Sequence, residues 1–274
     1  MPRGFALRIA LEFEKGSDSG TLGPLMRPTT AEHPAQHEAP PIPREPSPAR
    51  SGLAWGVHVI TASGAVVGTV ALIAIAGGRL EIAAVMMLVA LTIDSFDGTL
   101  ARAVGVSEVL PAIDGRRLDD IVDFLNYVIV PAVFMVEAGS LPHWAFAAAP
   151  VLASCYGFSH VSAKTEDDFF RGFPSYWNVV AIYLWGLALG AGAGAAVVVF
   201  LSVMVFVPLK YAYPSKMPIL RATTAVLGIL WTVVLAASVL VPERVRGLHL
   251  LEASLAFPAY YLALSFWLSR RART

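Results

Sequence analysis

From Ser51 to the end, apolar residues dominate the chain and polar stretches are short. Eight apolar runs stand out, at 53–76, 80–97, 118–137, 142–163, 176–190, 193–211, 222–241 and 248–268. A helix needs roughly 20 apolar residues to cross the hydrocarbon core of a bilayer. Backbone N–H and C=O groups in lipid must be satisfied within their own segment, so such runs form helices. The pattern predicts an all-α polytopic membrane helix bundle of about eight transmembrane helices. Six crossings, with two runs re-entrant or interfacial, keep the same parity. The fifth run is short, and Gly190, Gly192 and Gly194 blur its boundary with the sixth. No internal repeat is visible.

Residues 1–50 break this pattern. The stretch 27–50 is rich in Pro, Glu, Ser and Ala and has no apolar period. It buries too little surface to offset the entropy of ordering. A disordered, Pro-rich cytoplasmic tail is expected at 1–50 and a membrane-embedded domain at 51–274. The start, Met1–Phe13, lacks a continuous apolar core and a small-residue cleavage site, so it is a poor signal peptide. The tail reads either as a dispensable leader or as sequence upstream of a later start such as Met26.

Composition agrees with lipid as the solvent. Hydrophobic residues make up 56% of the 274 positions, charged residues 15%, and mean hydropathy is +0.64. Soluble chains carry about 25% charged residues. A formal net charge of +0 implies no nucleic-acid partner. Cys155 stands alone, so no internal disulfide forms. The basic residues are distributed unevenly. With the N-terminus inside, Arg102, Arg116, Arg117, Lys164, Arg171, Lys210, Lys216, Arg221, Arg270, Arg271 and Arg273 fall in cytoplasmic breaks. Only Arg79, Arg244 and Arg246 fall on the other side. This bias places both termini in the cytoplasm. Trp144 and Trp267 lie near segment ends, where indole rings favour the interface.

One stretch does what the rest of the membrane portion avoids. Asp94, Asp97, Gly98 and Ala101 fall at i, i+3, i+4 and i+7, one face of a helix. Gly115, Asp119 and Asp123 fall at i, i+4 and i+8, again one face. Two successive helices would set these faces opposite each other, with four carboxylates converging at the cytoplasmic end. Repulsion and desolvation oppose four such charges in one pocket. Hard divalent cations resolve this, and they bind carboxylates together with substrate phosphates. Two ions sharing the carboxylates clamp a phosphate. Gly98, Ala101 and Gly115 would let a ligand approach the backbone, and Arg102 is placed to pair with a phosphate oxygen. Asp114 and Asp120 read as helix-capping or solvated carboxylates. Ionisable residues at membrane depth are costly and mark function.

The arrangement Asp94-x2-Asp97-Gly98-x2-Ala101-Arg102, followed by Gly115-x3-Asp119-x3-Asp123, resembles the signature of the CDP-alcohol phosphatidyltransferase family. The intervening residues 103–114 make a longer link than is usual there. That length resembles the bacterial branch that forms phosphatidylcholine. The stretches Gly115–Asp123, Phe169–Asn178 and Phe206–Tyr211 are similar to that branch too. The resemblance runs from about Gly52 to the end of the chain. It implies transfer of the phosphatidyl group of CDP-diacylglycerol to choline, releasing CMP, with Mn²⁺ or Mg²⁺, in a bacterial inner membrane. It implies metal-site roles for Asp94, Asp97, Asp119 and Asp123, and a general-base role for Asp123. Gly98 and Ala101 match positions near the cytidine, Arg102 a nucleotide-phosphate contact, and Gly115 a small residue facing the nucleotide. A homodimer is also implied.

A quaternary ammonium offers no hydrogen-bond donor and binds aromatic faces instead. Phe173, Tyr176 and Trp177 are the expected choline-binding residues, with Glu166, Asp167 and Asp168 adding negative charge nearby. The same segment also reads as an interfacial aromatic anchor. His160, Met86 and Met87 read as packing residues. Two other functions stay open on the sequence. One is the same reaction with serine, inositol or glycerol phosphate as acceptor. The other is a cation transporter using intramembrane carboxylates, which predicts acidic residues near the bilayer midplane.

Overall fold

A computed structural model describes residues 46–160, 169–212 and 219–271. The expected tail up to residue 45, the acidic run Glu166–Asp168, and Lys164, Lys216 and Arg273 lie outside the described residues. Helix α1 (Pro48–Ala76) begins where the Arg50 N–H donates to Ser47 Oγ at 3.4 Å, and Pro48 takes the first helical position. This start lies inside the stretch expected to be tail. A capped helix start is a local signal that averaged composition hides.

Helix α2 (Leu80–Val104) follows a tight turn at Gly77 and Gly78 and ends at Gly105, whose φ of +69° only glycine adopts without strain. A short turn of helix, α3 (Val106–Val109), leads to α4 (Gly115–Asp123). Helix α4 continues through a π-helical turn (Phe124–Ile129) into α5 (Val130–Glu137). Pro131 lies just after that wider turn; inside a regular α-helix a proline removes a hydrogen bond and crowds the preceding turn. The chain then forms α6 (Ala148–Ser159), strand β1 (Phe169–Arg171), α7 (Trp177–Gly186), α8 (Ala191–Phe206) and strand β2 (Lys210–Ala212). Helices α9 (Arg221–Leu240), α10 (Pro242–Gly247), α11 (Leu250–Ser254) and α12 (Ala256–Arg271) complete it.

Among the described residues each predicted apolar run falls mainly on helix, and the protein is a polytopic all-α membrane protein. The stretches Pro48–Ala76, Arg221–Leu240 and Leu250–Arg271 are long and apolar enough to cross a membrane. Trp144–Ser159 and Ala191–Phe206 are shorter apolar helices. Large apolar side chains point outward, among them Val66 at 64% and Ile229 at 65% exposure. On a soluble monomer such a surface would be a liability; here it is the lipid face. Helix α7 has only 10 residues, about 15 Å against a hydrocarbon core of roughly 30 Å. Its Trp177, Ile182 and Leu184 are buried in one apolar cluster with Val128, Val130, Phe134 and Met87. The sixth run ends early, because Lys210–Ala212 is extended and pairs antiparallel with Phe169–Arg171. This small ladder ties the approach to α7 to the exit from α8.

The contact that sets the site is between α1 and the continuous helix 115–137. A methyl on Gly64 would lie 2.7 Å from Val122, and one on Gly68 would lie 2.6 Å from Asn126 Oδ1. The partner numbers rise together, so the two helices run parallel. Small residues let the backbones approach this closely. Asn126 Nδ2 locks the register by donating to the Gly64 carbonyl at 3.0 Å and to the Val122 carbonyl at 3.1 Å.

Candidate active site

Helix α2 carries Asp94 and Asp97, and α4 carries Asp119 and Asp123. Asp114 starts α4 by accepting the Arg117 N–H at 3.1 Å, the capping role expected of it. Helix α4 has charged and apolar residues on opposite faces, so its acidic stripe turns towards α2. Carboxylate oxygens of Asp94, Asp119 and Asp123 lie within 4.8 Å of one another, and all three residues are half-buried. Asp97, one turn further along α2, is 5% exposed and lies outside this group of three. Four carboxylates were expected to converge; the structure brings three of them together.

Two negative charges 4.8 Å apart repel by about 3.5 kcal/mol at an effective dielectric constant near 20. A cluster of three hard oxygen donors at this spacing fits a divalent cation. Asp94, Asp119 and Asp123 are the residues that would hold it.

Tyr127 was not anticipated. Its hydroxyl donates to Asp94 Oδ2 at 2.6 Å, and the residue is 5% exposed. The sequence did carry a signal, because Tyr127 continues the four-residue series Gly115, Asp119, Asp123. In an α-helix each four-residue step overshoots a full turn by about 40°. The wider π turn reduces that drift and keeps Tyr127 on the side of Asp94. π turns recur at functional sites for this kind of reason.

The remaining predicted residues surround this centre to different extents. Arg102 is exposed, and its Nη2 donates to Thr99 Oγ1 at 3.1 Å. A methyl on Gly98 would meet Arg102 Nη1 at 3.5 Å, an ordinary van der Waals contact. Ala101 packs against the small cluster of Ala54, Val57, Val106 and Val109, which joins α1 to the end of α2. The neighbour of Gly115 is His58 of α1. Asp120 is half-buried and outside the carboxylate group.

Of the three aromatic residues expected to meet the alcohol, Tyr176 is the one beside the centre. Its ring stands edge-on to Tyr127 with centroids 5.8 Å apart. Trp177 has 0% exposure, and its Nε1 donates to Ser154 Oγ at 2.8 Å. Phe173 stacks edge-on against Trp177 at 5.1 Å. Phe173 and Trp177 therefore pack on each other, with Trp177 tied to Ser154. His160 packs edge-on to Tyr156, and Met87 is in the core.

No protein-family model matches the chain. Similar curated proteins cover most of it. The phosphatidylcholine synthase of Borreliella burgdorferi is 33% identical over 225 residues, 81% of this chain and 96% of that protein. The phosphatidylcholine synthase of Pseudomonas aeruginosa is 32% identical over 235 residues, 84% of this chain and 98% of that protein. That of Legionella bozemanae is 39% identical over 191 residues, 66% of this chain and 88% of that protein.

Proposed function

The chain belongs to the phosphatidylcholine synthase family, and from that premise we propose that it transfers the phosphatidyl group of CDP-diacylglycerol to choline. The products are phosphatidylcholine and CMP. The observation that carries this reading is the cluster of Asp94, Asp119 and Asp123, built by α2 and α4 beside α1.

Asp94, Asp119 and Asp123 would hold Mn²⁺ or Mg²⁺, with Asp97 one turn along α2. An ion held there would supply Lewis-acid stabilisation of the negative charge on the diphosphate. The protein's own residues do the rest. Tyr127 holds one oxygen of Asp94 and so orients its carboxylate. Arg102 reaches a phosphate oxygen of the nucleotide. Gly98, Ala101 and Gly115 leave room for the nucleotide beside α2 and α4. Asp123 accepts the proton of the choline hydroxyl, and the freed oxygen attacks the phosphorus that bears diacylglycerol. The bond from that phosphorus to the bridging oxygen breaks, and CMP leaves with the electron pair. Tyr176 offers an aromatic face to the trimethylammonium group. The site and both termini lie on the cytoplasmic side of a bacterial inner membrane, where choline and CDP-diacylglycerol meet.

The test is CMP release by the purified protein in detergent with CDP-diacylglycerol, Mn²⁺ and one alcohol at a time. Choline-dependent release, lost by at least about 100-fold in Asp123→Asn, is the expected result. Release with serine, inositol or glycerol phosphate but not choline would change the acceptor. Cation flux without CMP release would favour a transporter.

A further inference from the structure

Ser175 holds a backbone conformation that its own Cβ opposes. Its φ is +58°, in the left-handed region. Three other described non-glycine residues share a positive φ, Ala188, Leu220 and His249, and all three are exposed. Ser175 is 3% exposed. Strain of this kind persists only where the surroundings over-determine it, and it clusters at active sites and ligand clamps.

The surroundings hold Ser175 from two sides. Its Oγ lies 2.9 Å from Oγ of Ser154 on α6, a residue with 0% exposure. Trp177 Nε1 donates to the same Ser154 oxygen at 2.8 Å. An indole N–H only donates, so Ser154 Oγ accepts it and can pass its own proton on to Ser175 Oγ. The Trp177 backbone N–H donates to the Ser175 carbonyl at 2.8 Å. On the N-terminal side, the Gly172 N–H donates to the Leu209 carbonyl at 2.9 Å and the Phe173 N–H to the Met204 carbonyl at 3.0 Å. Gly172 has a φ of +79°, and a methyl there would collide with the Val205 carbonyl oxygen. The segment 172–177 is thus fastened to α8 and its exit at one end and to α6 at the other. Tyr176 follows Ser175 directly, and its ring meets Tyr127, which donates to Asp94. Relaxing Ser175 to a negative φ would rotate the chain that follows. The Tyr176 ring would leave Tyr127, or Trp177 would leave Ser154.

We propose that Ser175 is a positioning residue for the acceptor alcohol. The Ser154–Ser175 hydroxyl pair holds residue 175 in the left-handed conformation that aims the Tyr176 ring at the carboxylate centre, where it meets the trimethylammonium group of choline. This rests on the reaction given above. Ser175 is buried and acts through Tyr176.

The test uses the full chain in detergent with Mn²⁺. It compares wild type with Ser175→Ala, Ser175→Gly, Tyr176→Ala, and Ser175→Ala combined with Tyr176→Ala. Choline binding is read by calorimetry in the presence of CMP, which needs no turnover, and KM values are read by CMP release. Ser175→Ala keeps the strain and loses the hold, so the Kd and KM for choline rise about threefold while the KM for CDP-diacylglycerol stays within about twofold of wild type. Ser175→Gly adopts the same conformation without strain. Its choline values stay within about twofold of wild type, although the lost hydroxyl bond lowers its melting temperature. In the Tyr176→Ala background, Ser175→Ala adds nothing to the choline KM, because the ring it positions is gone. Unchanged choline affinity in folded Ser175→Ala overturns the assignment. So does equal weakening in the alanine and glycine variants, or an additive loss in the double variant. If Ser175→Ala does not fold, Ser154→Ala takes its place: weakened choline binding that Ser175→Gly restores supports the assignment, and weakening that it does not restore overturns it. Wild type that binds choline but releases no CMP refutes the reaction, and the choline Kd values then decide the assignment. Wild type that releases CMP with choline, beside a Ser175→Ala protein that binds choline normally, refutes the assignment alone. Wild type that binds no choline refutes both.

Discussion

Tyr127→Phe removes a single oxygen and isolates what orients the carboxylate cluster. The phenol donates to Asp94 Oδ2 at 2.6 Å. A hydrogen bond to a charged acceptor contributes about 1.5–3 kcal/mol. Phenylalanine keeps the ring, its edge-on contact with Tyr176 and its burial beside Val128. Asp94 is half-buried, so water can replace the lost donor and global stability changes by less than about 1 kcal/mol. The larger effect falls on the cation. Loss of an outer partner that orients a metal ligand costs about 10- to 100-fold in metal affinity or activity. The Mn²⁺ concentration giving half-maximal CMP release should therefore rise about tenfold, equivalent to 1.4 kcal/mol. The KM for choline should move much less. The assay is a Mn²⁺ titration of CMP release at saturating substrates, with the melting temperature recorded on the same preparations. An unchanged Mn²⁺ midpoint in a folded Tyr127→Phe protein would refute the orienting role.

Two further substitutions separate register and acceptor contact. Asn126→Leu deletes both bonds to the Gly64 and Val122 carbonyls and forces a branched side chain against Gly68; stability in detergent should fall by about 2–4 kcal/mol, and a melting temperature equal to wild type would contradict the proposed lock. Tyr176→Ala should raise the KM for choline severalfold, near the cation–π range of about 0.5–2 kcal/mol, with the KM for CDP-diacylglycerol constant. Trp177→Phe should instead lower the melting temperature through loss of the Ser154 bond and leave the choline KM alone; the opposite division between these two variants would move the cation contact to Trp177.

Much of the site was readable because helical spacing is local. The four-residue steps Gly115, Asp119 and Asp123, and the i, i+3, i+4, i+7 set on α2, follow from the rise and twist of one helix, whatever surrounds it. The apolar runs follow in the same way from the demands of lipid on backbone polar groups. Asp114 as a cap and Met87 as a core residue were also local readings. What could not be read was how one helix is rotated and raised against another.

That rotation decided which carboxylates meet. Asp94, Asp119 and Asp123 come together and Asp97 stays outside their group. It decided that Tyr127 reaches Asp94 across 33 positions of sequence, through a π turn that no composition announces. It also buried Trp177 and set His58 over Gly115. The sequence by itself determined the helices, their apolar faces and the acidic series along each, since these depend on neighbours within a turn or two. Only the tertiary structure decided which of those faces touch, since that depends on side-chain shape at helix contacts such as Gly64 with Val122 and Gly68 with Asn126, summed over the whole bundle.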